Sequence, residues 1–188
     1  NTIVQDCSAK GILISGSSIA RISNCSVQRN SDRGIGVFNS NIYVDGSVAC
    51  NNNSRYGIEI ADRSNAVFYG ATVTANDNER GLQVWGSSNI VIITSTLTVN
   101  NNIDKGIHIA NSSSGTIIGL NATIENNNSG VEIGTSSSLS VQSASSLTCR
   151  NNLSRGLMLS GSSSVYMAGD ANITINGSDR GFQLHGTS

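Results

Sequence analysis

His108 is preceded 25 residues earlier by Gln83 and followed 24 residues later by Glu132. If those intervals each equal one turn of a stacked repeat, an imidazole is set beside a carboxylate, the pair that general acid–base chemistry uses. Glu59, 24 residues before Gln83, belongs to the same column. Phe38 and Trp85 lie two residues past members of that column and offer aromatic faces of the kind on which sugar rings stack. Phe38, Glu59, Gln83, Trp85, His108 and Glu132 are therefore the candidate glycan contacts. A simpler reading of the same residues is a solvated polar row on an exposed sheet, with the aromatics capping turns.

The elements that would position this column are legible as a repeat. A Gly followed by apolar–any–apolar recurs eight times, at Gly11, Gly34, Gly57, Gly81, Gly106, Gly130, Gly156 and Gly181. The spacings are 23, 23, 24, 25, 24, 26 and 25. Two further short runs alternate within each period, such as Ile90-Val91-Ile92 and Leu97-Thr98-Val99. Alternation with period two points one side chain in two inward, and a helical stripe is absent. Three short strands per coil, with Gly, Ser and Asn corners, predict a solenoid of about seven to eight coils. One coil buries nothing alone, but stacked coils align Ile on Val on Leu about 4.8 Å apart. The repeated Gly fits a corner that needs positive φ or a close backbone approach. Runs such as Asn51 to Asn53, Asn100 to Asn102 and Asn126 to Asn128 predict stacked Asn ladders. A leucine-rich repeat has a similar period, but its return segment is helical, and here it is Ser-rich and β-patterned.

Composition agrees. The chain of 188 residues has 32 Ser, 24 Asn, 20 Gly and no Pro, with 4% aromatic residues. Pro would cost central strands their N–H donors. A net charge of −1 gives no basic field for nucleic acid. No apolar run approaches the roughly 20 residues of a membrane helix. A start at Asn1 without Met reads as a piece of something longer, and residues 1–188 read as a single β-helix domain.

Other constellations are weaker. Cys25 and Cys50 fall on adjacent coils but two residues out of step, about 8 Å apart, beyond disulfide reach. They and Cys149 read as small buried hydrophobes, and nothing has metal-ligand spacing. A basic residue precedes most repeat glycines (Lys10, Arg33, Arg80, Lys105, Arg155, Arg180), often with an acid before it, which favours a charge-paired structural ladder. Thr72, Thr74, Thr96 and Thr98 open a hydroxyl-rich outward row, a minor case for an ice-binding face that Glu125 and Asn172 interrupt. Asn-x-Ser/Thr sequons occur at Asn24, Asn52, Asn111, Asn121, Asn127, Asn152, Asn172 and Asn176.

The pattern GIxI-xxSSxxxI-xxxTVTxNN resembles the right-handed parallel β-helix repeat of carbohydrate-binding and sugar-hydrolase proteins, surface adhesins and phage tailspikes. The resemblance covers essentially the whole chain and speaks to fold more than to function. It implies an all-β, right-handed parallel β-helix. The NTD, DD, GHG and RIK motifs of polygalacturonases of this fold are absent, as is the calcium-binding Asp cluster of pectate lyases. Glu59 and Glu132 are three coils apart, about 14 Å, too far for paired-carboxylate glycoside hydrolysis. The reading is therefore a non-catalytic structural or adhesive β-helix, extracellular or on a cell surface, binding a polysaccharide along an outward face and needing no cofactor. The alternative is a module of a carbohydrate-active enzyme centred on His108 and Glu132. Unblunted solenoid edges imply flanking modules or end-to-end self-association.

Overall fold

A computed structural model describes residues 2–186. Every regular element among them is a β-strand, and every pairing is parallel, as stacked coils require. The repeat glycines open the strands of one eight-stranded sheet, the first face. It runs Ile12–Ser15, Ile35–Phe38, Tyr56–Ala61, Arg80–Val84, Lys105–Ile109, Ser129–Ile133, Arg155–Ser160 and Arg180–His185. The other two strands of each coil form the second face (for example Asn89–Ile93) and the third face (for example Thr96–Asn100). In the first coils these two faces fuse. Ile19–Gln28 and Asn41–Ala49 are single bent strands, so both faces belong to one thirteen-stranded sheet. Three separate strands per coil hold only from Tyr56 onward.

The inward positions close a continuous apolar core. Ile35, Ile58, Leu82, Ile107, Val131 and Leu157 stack in register on the first face and are buried. Cys25, Cys50 and Cys149 lie in this core as free thiols. Cys25 pairs with Val48, which leaves Cys50 two residues further along its strand, the offset that forbids a disulfide. Burial pushes the Cys149 thiol up to about 12 and the Cys50 thiol well above its usual value.

The corners explain the polar composition. Asn30, Asn53, Asn78, Asn102, Asn127 and Asn152 form one buried ladder, each side-chain amide donating to the next Oδ1 over 2.9–3.3 Å. Each amide from Asn53 onward also donates to a backbone carbonyl, such as Ala75 O from Asn102 at 3.0 Å. The residue before each rung of the ladder takes positive φ, as at Asn52, Asn101 and Asn126. Left-handed backbone recurs at the other two corners as well, for example at Ser87 and Thr94, but not at the repeat glycines. What the glycines supply is close approach: a Cβ on Gly34 would lie 2.6 Å from Gly57 O and 2.8 Å from Asn53 Nδ2. A serine ladder holds the next corner, where Ser64, Ser88, Ser113 and Ser137 hydroxyls each accept the backbone N–H one coil earlier at 3.1–3.2 Å.

On the third face Thr74, Thr98, Thr123, Thr148 and Thr174 stand in one file. The file beside it reads Thr72, Thr96, Asn121, Ser146, Asn172, so paired threonines cover two rungs. Asn127 and Asn152, two of the sequon positions, are buried ladder members with both side-chain ends engaged.

Candidate functional site: a cleft on the first face

The outward column is in register as the spacing predicts: Leu13, Gly36, Glu59, Gln83, His108, Glu132, Met158 and Gln183 pair in sequence down the first face. It is not a solvated row. Glu59 is 1% exposed, Gln83 4% and Met158 8%. Over Glu59 and Gln83 the cover comes from long side chains that fold back across the sheet, chiefly Arg33, Tyr56, Arg80 and Trp85. Arg33 lies 5.4 Å from both the Phe38 and Tyr56 ring centroids, and Arg55 and Arg80 also face Tyr56, at 4.8 and 5.7 Å. The Phe38 ring sits over the glycine of the column, since a Cβ on Gly36 would come 2.8 Å from Phe38 Cε2.

The row next to the column shapes a hollow. Continuing the strand register, this row reads Ser15, Phe38, Ala61, Trp85, Ala110, Gly134, Ser160. After the large Trp85 the side chains shrink to Ala110 and Gly134, and the missing bulk opens a cleft of about 320 Å³. Gln83, His108 and Glu132 form its floor, while Tyr56, Arg80 and Trp85 wall one end. Asn111, Thr135 and Ser160 bring an amide and two hydroxyls to its rim. Of the six residues read from sequence, Gln83, Trp85, His108 and Glu132 meet here. Glu59 lies buried, bonded to Trp85, and Phe38 lies outside the cleft against Arg33. Tyr56, Thr135 and Ser160 escaped sequence reasoning, which had placed Arg80 in the basic column and Asn111 among the sequons rather than at this site. Tyr56 carried a usable signal, being the aromatic member of a column otherwise rich in Lys and Arg.

The electrostatics of the floor are specific. Gln83 Oε1 accepts from His108 Nδ1 at 2.9 Å and from the Arg80 guanidinium at 3.0 Å. Burial first, then the Lys105 and Arg80 cations, hold the His108 pKa down at about 4, with Asp104 opposing. The ring is thus neutral at pH 7, and the 2.9 Å contact of Nδ1 with the Gln83 carbonyl oxygen, shorter than the 3.4 Å approach of the Arg80 guanidinium, assigns its proton to Nδ1. His108 Nε2 is left as an acceptor, 3.5 Å from Glu132 Oε1. Two acceptors side by side call for donors from outside. The nearby charges are otherwise matched: Asp104 takes Arg80 at 2.8 Å and Lys105 at 3.1 Å, and Lys105 also lies 3.8 Å from Glu132. Burial pushes the Asp104 carboxyl up, but Lys105 and Arg80 outweigh it and hold it below the usual range. Lys10, Arg33 and Arg55 converge on Asp32 and Arg180 meets Asp179, so most of the basic column is charge-paired, while Arg155 donates to Gln183 instead. Among the described residues no three His, Cys, Asp or Glu side chains gather in a way that could hold a metal ion.

Fold and site together define a parallel β-solenoid that carries a neutral, aromatic-walled surface cleft on its first face. The family model for the right-handed β-helix region matches residues 1–146, and the chain belongs to that family. No curated protein and no solved structure matches it.

Proposed function

We propose that this β-helix binds an uncharged polysaccharide along its first face without transforming it, as part of an extracellular or cell-surface protein. The observation that carries the reading is the acceptor pair His108 Nε2 and Glu132 Oε1, 3.5 Å apart in a cleft walled by an indole. Neighbouring hydroxyls on a sugar ring supply two donors at that spacing, and the apolar ring face suits Trp85. Arg80 and Lys105 are balanced by Asp104 and Glu132 together, so the charges at the cleft give an acidic sugar no advantage. From Tyr56 to Ser160 the cleft crosses five coils, about 19 Å along the axis, which suits an extended chain better than a single sugar.

A catalytic reading draws on the His108–Glu132 contact, an imidazole beside a carboxylate. Against it, Glu132 is the one carboxylate among the described residues lining the cleft, and Glu59 is locked in hydrogen bonds. The test is a glycan array read with wild type and Trp85→Ala. Binding to neutral oligosaccharides that falls at least tenfold in Trp85→Ala is expected. Binding confined to acidic glycans would overturn the reading, and turnover of a bound glycan that is lost in His108→Ala would replace it with the catalytic one.

A further inference from the structure

Glu59 faces outward on its sheet, so nothing in the alternation forces its carboxylate out of water, yet it is 1% exposed. Burying a charge on a face where Thr or Leu would cover the sheet is costly unless both oxygens are engaged. Both are. Oε2 takes the Arg33 guanidinium, and Oε1 accepts the Trp85 indole N–H at 2.7 Å. Arg33 is itself held by Asp32 and sandwiched between Phe38 and Tyr56. Trp85, by contrast, has only Ala61 and Ala110 beside it in its row, and neither is large enough to fix the ring from the side.

We propose that Glu59, anchored by Arg33, is a positioning residue that fixes Trp85 as the rigid apolar wall of the cleft. The indole N–H is consumed by Glu59, so the ring meets a ligand only through its carbon surface. That purpose rests on the carbohydrate reading, whereas the pinning is testable with no ligand present. It also gives Phe38 a role distinct from sugar stacking, because it clamps the arginine that holds Glu59.

Trp85 is the single Trp of the chain, so its indole signal is unambiguous. In ¹⁵N-labelled wild-type protein the indole N–H is expected to exchange with solvent at least tenfold more slowly than a free indole. Glu59→Leu is expected to restore fast exchange and to raise acrylamide quenching of Trp85 at least twofold, with the amide spectrum of distant coils unchanged. Glu59→Gln keeps one acceptor oxygen for two donors, so it is expected to fall between wild type and Glu59→Leu in both. Free-rate exchange in the wild type overturns the proposal, as does a folded Glu59→Leu with exchange and quenching unchanged. Should Glu59→Leu not fold, the wild-type exchange rate and Glu59→Gln decide. A failed glycan array leaves all these outcomes readable.

Discussion

His108 turns its ring proton onto Gln83 Oε1, 2.9 Å away, and leaves Nε2 bare beside Glu132. The relationship follows from packing. Gln83, His108 and Glu132 are successive outward residues of one stacked column, covered by Arg80, Tyr56 and Trp85, so the imidazole titrates in a dry and cation-rich setting.

Stability should therefore depend on pH through His108. Its folded pKa of about 4 lies below the unfolded value of 6.5, so between those limits the unfolded chain binds more protons. The contribution is intact above pH 6.5, is lost progressively as pH falls towards 4, and amounts to about 3 kcal/mol. Urea unfolding at pH 7.5 and 4.5 should show the drop, and His108→Gln should remove most of it. An NMR titration in which His108 protonates near pH 6.5 would contradict this account of its burial.

The buried Asn ladder should be worth more than any surface polar residue. Asn102→Ala strands the backbone N–H of Asn78 and the Ala75 carbonyl, both bonded to Asn102 at 3.0 Å. A loss of about 2–4 kcal/mol is expected. The exposed Asn128 is the control, with Asn128→Ala changing stability by roughly 0.5 kcal/mol or less. Equal effects at the two sites in denaturant melts would show that the ladder contributes nothing special.

Gly106 tests the close-approach role of the repeat glycine. A Cβ there would meet Ile124 Cγ2 at 2.4 Å and Gly130 O at 2.7 Å. Gly106→Ala should destabilise by about 1–3 kcal/mol through overpacking. In an ordinary strand the same change is neutral or stabilising, so calorimetry gives opposite signs for the two accounts.

Cys50 and Cys149 should resist a thiol reagent such as Ellman's in the folded protein and react once denatured, because burial keeps both protonated. Prompt reaction of either without denaturant would mean that the core opens.

Much of this was legible in the chain. The glycine spacing reports the coil, and period two reports which side chains share a face, so the adjacency of Gln83, His108 and Glu132 followed directly. Burial of that column did not follow. Alternation says which side of a sheet a residue takes, but not that Arg33 or Tyr56 will reach across a coil to cover it. The ladder was visible at Asn53, Asn102 and Asn127 because they sit in Asn runs. Asn30 and Asn78 were harder, since neither has an Asn neighbour, and Asn152 follows only Asn151. The cleft itself was hidden, because it is made by what is small, Ala110 and Gly134, next to what is large.

That hollow provides the most direct test of the central claim. Gly134 has ordinary φ and only Ser160 Oγ near its Cβ position, at 3.2 Å, so a side chain there points into the cleft at little cost to the fold. Gly134→Leu should melt within a few degrees of wild type and lose binding to every neutral glycan that the wild type retains on an array. Wild-type binding that survives undiminished in a folded Gly134→Leu, or an array on which the wild type binds nothing, would contradict the assignment of the cleft as a polysaccharide site.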